Sequence, residues 1–310
     1  MEKLITKTGL FMEVFIMENT QEKFFIRWWG CASVEIAIAD INLVIDPYVR
    51  PDEPIYDYIF CTQEHFDHFH RETLLKLCQG PRFKKLVVNI GCVSPGQPIE
   101  KVYGAAALTS GLPADFLRQD GLQVLYPKYL KSEGRSFAGS FEIQLGRLAV
   151  EAVESGEEPS PDIPSNGYLI TDTQTNLSFY HTGDLWETYP NLEKLKNRVD
   201  FLFHMKMGWN KRWDLLRQLV EYVRPRYFVP IHYRTDSASY PIPRLYSYDE
   251  PIEAQVKKHW IPDIDDPNAY IETLREHLCD LTQIAPLTAG RSYEILIPSK
   301  TIRWEWKMIS

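Results

Sequence analysis

The stretch CTQEHFDHFH, residues 61–70, concentrates side chains that bind metal ions in proteins. It holds His65, Asp67, His68 and His70 within six consecutive positions. Imidazole and carboxylate ligands together suit zinc, manganese or iron. The same residues are also compatible with a polar helix start in which Asp67 is the cap. The stretch by itself therefore leaves two interpretations open, a metal site and an ordinary helix start.

Two later motifs supply further ligands at places where strands end. HTGD puts Asp184 in a turn just past a strand, and PIHY puts His232 at the tip of another. Strand ends hold the backbone firmly, while the adjoining loops leave room for a substrate. These motifs favour a metal site, whereas the isolated His259 and His277 are interpreted as hydrogen-bonded surface residues.

Short runs rich in β-branched and aromatic residues predict the strands that must position these side chains. The first half contains KFFIRWW, SVEIAIA, INLVID, YDYIFCT and KKLVVNI, and the second contains SFEIQLG, RLAVEAV, NGYLIT, NLSFYHTGD, VDFLFH and RYFVPIHY. RETLLKLCQG, KRWDLLRQLVEYV and DDPNAYIETLREHLCDL predict helices, the last with Pro267 in its first turn. Strands followed by helices, twice over, predict two packed sheets with helices outside.

No linker divides the chain, so residues 1–310 are predicted to form a single domain. Residues 92–138 contain Pro and Gly throughout and are predicted to be an irregular insertion near the site. The chain ends in two further predicted strands, YEILIP and TIRWEW.

Composition narrows the class of partner and the compartment. Forty-two acidic and 34 basic residues give a net charge of −8, which argues against a nucleic-acid or membrane-surface partner. Five scattered cysteines without a Cys-x-x-Cys pair predict reduced thiols. Neither a signal peptide nor a spanning helix is predicted, so we expect a cytoplasmic enzyme. The sequence leaves the oligomeric state open, including a homo-oligomer.

The order of the motifs resembles that of a known family. TQEHFDH, YHTGD and VPIHY occur in the order of the metal-binding motifs of the metallo-β-lactamase superfamily. The opening WWGCASVEI…LVIDP resembles the branch that includes bacterial L-ascorbate-6-phosphate lactonases, and PLTAGRSYEI resembles the closing strand region. The resemblance runs from about Phe25 to about Leu296. It implies a four-layer αββα sandwich and metal-dependent hydrolysis.

The same resemblance assigns ligands residue by residue. Asp67, His68 and His232 match the ligands of one metal position, and His65 matches a ligand of the other. Asp184 matches the carboxylate that bridges both positions. Asp67 and Asp184 are therefore also the predicted catalytic carboxylates, one accepting a proton and the other orienting the attacking water.

Two residues are predicted to support the ligands. Asp46 matches a buried acid that helps to orient the ligands, although a turn residue before Pro47 is an equally good interpretation. His70 falls where the family often has an acidic residue. It is predicted to stand behind the ligands, to carry protons, or simply to begin the helix.

The sequence departs from the family pattern at two ligand positions. Gln63 replaces the first motif histidine, and no histidine follows LAVEAV, where Glu154 is the nearest replacement and Glu157 the next. An amide oxygen is a weaker ligand than imidazole for such a metal. We therefore expect one Zn²⁺ or Mn²⁺ to bind tightly, with iron less favoured, and a second ion to bind weakly or not at all. Gln63 facing the substrate is the alternative.

The predicted substrate is a small anionic ester, either a lactone or a phosphoester. HMKMGWNKRW contributes Lys206 between the last two motifs, and Arg234 follows His232 by two residues. Both cations, together with His204, are predicted to contact the substrate. Two other classes stay open: a scaffold protein with a degenerate site and an iron-dependent oxidoreductase on the same fold.

Overall fold

A computed structural model describes residues 24–47, 55–63, 68–89, 92, 112, 120–125, 127–130, 135–138, 141–155, 165–185, 187–188, 190–206, 212–232 and 267–303. The strands are β1 (Phe24–Gly30), β2 (Ser33–Ile38), β3 (Ile41–Ile45), β4 (Tyr58–Cys61), β5 (Lys85–Asn89), β6 (Leu122–Leu125), β7 (Pro127–Leu130), β8 (Arg135–Ala138), β9 (Phe141–Leu145), β10 (Leu148–Ser155), β11 (Ser165–Asp172), β12 (Ser178–His181), β13 (Phe201–Met205), β14 (Tyr227–Ile231), β15 (Gln283–Ile284), β16 (Ser292–Leu296) and β17 (Thr301–Ile302). The helices are α1 (Arg71–Leu77), α2 (Trp213–Val223) and α3 (Pro267–Leu278), with a 3₁₀ helix at Pro190–Leu195. No helix in this part of the chain is long and apolar enough to cross a membrane.

Most of the strands build two mixed sheets. The first has the order β17-β16-β1-β2-β3-β4-β5-β6, and the second has the order β15-β14-β13-β12-β11-β10-β9. Strands β3 to β6 run parallel in the first sheet, and β12 to β15 run parallel in the second. β7 and β8 form a separate antiparallel hairpin.

The two sheets pack face to face across an apolar core. In β3, Leu43 and Ile45 enter the large core, whereas Val44 joins the cluster on the other face, because successive side chains of a strand point to opposite faces. Between the sheets, the rings of Phe60 and Tyr168 lie 5.2 Å apart. The Tyr168 hydroxyl donates to the carbonyl of Cys61 in the opposite sheet at 2.7 Å.

Helices cover the remaining faces. Leu74 and Leu77 of α1 pack in the cluster that includes Val44, and the buried side of α2 (Leu216, Leu219, Val220 and Val223) joins the large core. Every residue of β12, β13 and β14 is buried, as expected for parallel strands covered on both sides. The architecture is therefore the αββα sandwich that the sequence predicts.

The prediction that residues 92–138 are irregular is wrong for residues 122–125, 127–130 and 135–138, which form strands. β6 extends the first sheet by pairing parallel to β5, and β7 and β8 pair with each other. Four-residue strands are too short to show a clear alternation, and neighbouring strands rather than local sequence decide them. The two-residue strand β15 was likewise not predicted. Whether this segment is an insertion beside the site stays a prediction.

Candidate metal centre

The candidate site lies where parallel strands of both sheets end. Asp46 follows β3, Thr62 and Gln63 follow β4, Asp184 lies three residues past β12, and His232 follows β14. In α/β folds, the carboxyl ends of parallel strands are the usual place for ligand binding. The two sheets therefore bring residues from distant parts of the chain to one edge of the sandwich.

Three buried side chains meet at this edge with their ligand atoms together. Nε2 of His68 lies 3.2 Å from Nε2 of His232 and 3.2 Å from Oδ2 of Asp184. Nε2 of His232 lies 3.5 Å from Oδ1 of Asp184. Among the described residues, this is the only cluster of three such side chains whose ligand atoms all lie within 4.8 Å of one another.

These distances fit a metal ion. Zinc–nitrogen and zinc–oxygen bonds of about 2.0–2.1 Å arranged as a tetrahedron separate the ligand atoms by about 3.3 Å. The two spacings from Nε2 of His68, 3.2 Å to Nε2 of His232 and 3.2 Å to Oδ2 of Asp184, are close to that value. His232 approaches the other carboxylate oxygen, Oδ1, at 3.5 Å, and one ligand atom from each of the three residues lies within 4.8 Å of the others. Two imidazoles and a carboxylate are also a ligand set that divalent metals use in enzymes. His68, Asp184 and His232 are therefore the residues that would hold the ion.

Asp46 sets the proton position on His68. It is completely buried, and its Oδ2 lies 2.8 Å from Nδ1 of His68. A carboxylate only accepts hydrogen bonds, so Nδ1 carries the proton and Nε2 keeps its lone pair for a metal. The Thr62 backbone N–H and hydroxyl donate to the two oxygens of Asp46, each at 2.7 Å, which holds the carboxylate in place.

A turn near the start of the chain supports His232. The carbonyl of Cys31 accepts from the His232 backbone N–H at 2.8 Å and from the indole N–H of Trp28 at 2.8 Å. His232, Cys31 and Asp46 all have positive φ angles, of 61°, 48° and 49°. Such conformations are uncommon outside glycine and collect at functional sites. The Trp-Trp-Gly-Cys stretch thus has a local role, which is to anchor a metal-ligand candidate.

His181 is a site residue to which the sequence analysis gives no role. Its Nε2 donates to the carbonyl of Ala32 at 2.8 Å, and its Nδ1 accepts from the Gly183 backbone N–H at 3.1 Å. Burial lowers the pKa of His181, and the nearby Asp46 charge only partly opposes this. His181 is therefore a neutral imidazole that supports the turn carrying Asp184 through its hydrogen bond from Gly183. Its position in the YHTGD motif, three residues before Asp184, is the sequence signal that could have identified it.

Gly183 lets that turn approach the first sheet closely. Its φ is +59°, and a Cβ added there would lie 3.1 Å from Cβ of Thr62 and 3.2 Å from the carbonyl oxygen of Asn166. A side chain would therefore meet both backbone strain and crowding. The glycine allows Asp184 to reach His68 from the opposite sheet.

The structure brings together some of the predicted ligands and leaves others undescribed. His68, Asp184 and His232 converge, whereas His65, Asp67 and Arg234 lie outside the described residues. Their roles stay predictions.

Glu154 and Gln63 were the predicted replacement ligands, and the structure gives each a local environment that the sequence did not predict. The backbone of Glu154 pairs with Asn166 inside β10 rather than lying in a loop. Gln63 is fully buried, and its amide nitrogen, not its oxygen, contacts Asp184 at 2.9 Å.

Two other predicted site residues have clear local partners. His70 is the N-cap of α1, where its Nδ1 lies 2.8 Å from the Thr73 hydroxyl and accepts from the Thr73 backbone N–H. Of the three roles predicted for His70, this contact matches the one in which it begins the helix. Lys206 follows β13, and its backbone N–H donates to Ile231, the residue before His232. The Lys206 ammonium lies 5.6 Å from the ring centroid of Tyr270, and its contact with a substrate stays a prediction.

His204 lies between the strands that carry Asp184 and His232. It is fully buried, and its Nδ1 contacts the Thr182 hydroxyl at 2.9 Å, which itself donates to the Gly183 carbonyl. Its Nδ1 therefore donates to Thr182, and Nε2 makes no hydrogen bond to a described residue. Burial lowers the pKa of His204 to about 3, against the attraction of the Asp184 charge. A neutral His204 adds no positive charge for an anion.

Because His204 is buried with a lowered pKa, we expect the free energy of unfolding to depend on pH. Because the pKa of His204 falls from 6.5 in the unfolded chain to about 3 in the fold, its contribution is complete above pH 6.5. It is lost as the pH falls from 6.5 towards 3, at up to about 1.4 kcal/mol per pH unit. Urea unfolding of metal-free protein should show a shallower acid loss for His204→Gln than for wild type. The half-buried His277→Gln is the control, and equal slopes in all three would contradict the assignment.

The fold and the site define the chain as a metal-binding αββα sandwich. The family model described as the beta-lactamase superfamily domain matches residues 25–232. The chain therefore belongs to the beta-lactamase superfamily.

Three similar proteins illustrate the match. A UPF0173 protein of Pyrococcus abyssi is 28% identical over 215 residues, which cover 68% of this chain and 83% of the relative. A UPF0173 metal-dependent hydrolase of Methanopyrus kandleri is 26% identical over 220 residues, covering 68% and 84% of the two chains. The solved structure of Igni18, a metallo hydrolase from Ignicoccus hospitalis, is 14% identical with a TM-score of 0.53. That alignment covers 89% of this chain and 99% of Igni18, and it bears on the fold alone.

Proposed function

We propose that the protein is a metal-dependent hydrolase that cleaves a small anionic ester, either a lactone or a phosphoester. The observation that carries this proposal is the convergence of His68, Asp184 and His232 at spacings of 3.2–3.5 Å. Asp46 behind His68 strengthens it, because an acid that fixes a ligand's tautomer is a regular feature of working metal sites. The Methanopyrus kandleri relative, named a metal-dependent hydrolase, supports the same activity.

Each residue of the centre has a part in hydrolysis. When bound, a divalent cation supplies a water of pKa about 7 and polarises the attacked carbonyl or phosphoryl group. Asp184 would orient the attacking water through its carboxylate, and Asp67 is the proposed proton acceptor. His68, Asp184 and His232 would hold the cation, with His68 offering Nε2 because Asp46 accepts the proton on its Nδ1. The low exposure of all three clustered residues keeps competing water away from the reacting groups.

The anionic character of the substrate rests on two cations, Lys206 and Arg234, that are near the metal-ligand motifs in the sequence. The Lys206 backbone bonds to the residue before His232, and its ammonium is proposed to reach the substrate. Arg234 is proposed to add a second charge. His204 is proposed to contribute contacts rather than charge, since its pKa is about 3. Phosphate or carboxylate groups are what such a pair of cations would bind.

Zn²⁺ or Mn²⁺ is the proposed ion, in a cytoplasmic enzyme that resembles the L-ascorbate-6-phosphate lactonase branch. Protein purified without added metal should hold about one ion per chain by elemental analysis. It should also hydrolyse some member of a panel of lactones and phosphodiesters, and chelation should abolish that activity. Iron with visible absorbance would favour an oxidoreductase instead. Protein that binds no metal at any concentration would favour a scaffold and overturn the proposal.

A further inference from the structure

Gln63 makes a contact that differs from that of a metal ligand. It follows Thr62 at the end of β4 and is fully buried. Its Nε2 donates to Oδ2 of Asp184 at 2.9 Å, and the same oxygen lies 3.2 Å from Nε2 of His68. The amide therefore bonds to the carboxylate from the other sheet, at the oxygen that also faces the candidate metal position.

The chemistry of the two groups fixes the orientation of the amide. A carboxylate presents only lone pairs, so an amide oxygen turned towards it would be repelled, whereas the NH₂ group is attracted. A hydrogen bond to a charged acceptor is also stronger than one between neutral groups. Gln63 consequently presents hydrogen atoms to Asp184. A second cation at this position would have to displace that N–H, because both would compete for the same oxygen.

We propose that Gln63 is a positioning residue that holds Asp184 by an N–H···O bond and thereby restricts the centre to one metal ion. This inference rests on the proposed metal binding by His68, Asp184 and His232. Gln63, which stands in TQEHFDH where the family has a histidine, would then place a neutral N–H donor where a second cation would otherwise bind. The amide N–H bonds to Oδ2 of Asp184, where a second cation would need to bind, while Oδ1 of the same carboxylate lies 3.5 Å from Nε2 of His232.

Two substitutions at Gln63 separate this role from simple packing. Gln63→Glu keeps the size but replaces the donor with a carboxylate opposite Asp184, and two adjacent carboxylates repel unless a cation lies between them. We expect this variant to bind two Co²⁺ ions per chain where wild type binds one. Gln63→Leu removes the hydrogen bond without adding a ligand. It should keep one ion with roughly tenfold weaker binding, the lower end of the effect of groups that support a metal ligand.

The measurements are calorimetric titration of metal-free protein with Co²⁺, elemental analysis after gel filtration, and visible absorption of the bound ion. Gln144→Glu is the matched control, since Gln144 is exposed and its side-chain amide donates to the nearby Gly146 carbonyl. Circular dichroism reports whether each variant folds. If only Gln63→Leu folds, its affinity for the first ion decides the question. If neither folds, the wild-type stoichiometry decides it.

The outcomes distinguish this inference from the proposed function. Wild type with two ions of equal affinity would overturn the role of Gln63 while leaving a metal hydrolase intact. Wild type with one ion, together with a Gln63→Leu variant of unchanged affinity, would do the same. Wild type that binds no ion would overturn the proposed function itself. One ion in wild type, two in Gln63→Glu and weaker binding in Gln63→Leu would support both.

Discussion

Replacing His68 by alanine is expected to lower the affinity for the first divalent ion by more than about 100-fold and to abolish hydrolysis. Loss of groups that merely support a ligand costs about 10- to 100-fold in metal affinity, and His68 is proposed to ligate directly. Its Nε2 is within 3.2 Å of both His232 Nε2 and Asp184 Oδ2, so its removal leaves two of the three clustered ligands that the structure describes. Asp184→Asn should have an effect of the same order, because it exchanges a charged oxygen for a neutral one.

Calorimetry with Zn²⁺ or Mn²⁺ on metal-free protein measures these losses. His277→Ala is the control, because it removes an imidazole that stacks on Trp213 at 4.7 Å and is not one of the three clustered residues. It should leave metal affinity unchanged. Wild-type metal content in both His68→Ala and Asp184→Asn would show that the ion, if one binds, lies elsewhere.

The second large effect is expected for Asp46→Asn, in both stability and metal affinity. Asp46 accepts three hydrogen bonds in a fully buried position, two from Thr62 and one from His68. An asparagine has only one oxygen to accept with, and its NH₂ faces a group that already donates. We expect a loss of about 1–3 kcal/mol in the unfolding free energy, since a buried donor is left without its acceptor.

The same substitution also acts on the tautomer of His68. With no acceptor at Nδ1, the proton moves to Nε2 and blocks the lone pair that would bind a metal, so metal affinity should fall about 10- to 100-fold. Urea unfolding with a chelator and calorimetry with Zn²⁺ measure the two effects separately. Asp40→Asn, an exposed residue, controls for the loss of charge. Reduced stability with unchanged metal affinity would make Asp46 a purely structural residue.

The sequence alone was sufficient for the architecture and for the core of the site. Alternating and continuous apolar runs predicted most strands of both sheets within one or two residues, because burial on one face or on both imposes those patterns. The ordered motifs selected His68, Asp184 and His232 as ligand candidates. Their side-chain types are among those that bind zinc, manganese or iron in proteins.

Only the tertiary structure decided what each polar side chain does. From the sequence, both His70 and Asp46 are candidates for supporting the metal ligands. His70 caps α1 by contact with Thr73, whereas Asp46 reaches His68 from a different strand. Contacts between residues 22 positions apart depend on strand order and register, which no local pattern records.

Gln63 is the clearest case of this division. Its sequence position marked a departure from the family pattern, and the amide offers both a donor and an acceptor. Asp184 lies 121 positions further along the chain and comes close to Gln63 only because the two sheets meet. Its carboxylate accepts hydrogen bonds, so the NH₂ group of the amide faces it. The sequence determined that a metal-type site exists at these strand ends. Only the tertiary structure, which places Gln63 beside Asp184, decided that the NH₂ end of the amide faces the carboxylate of that site.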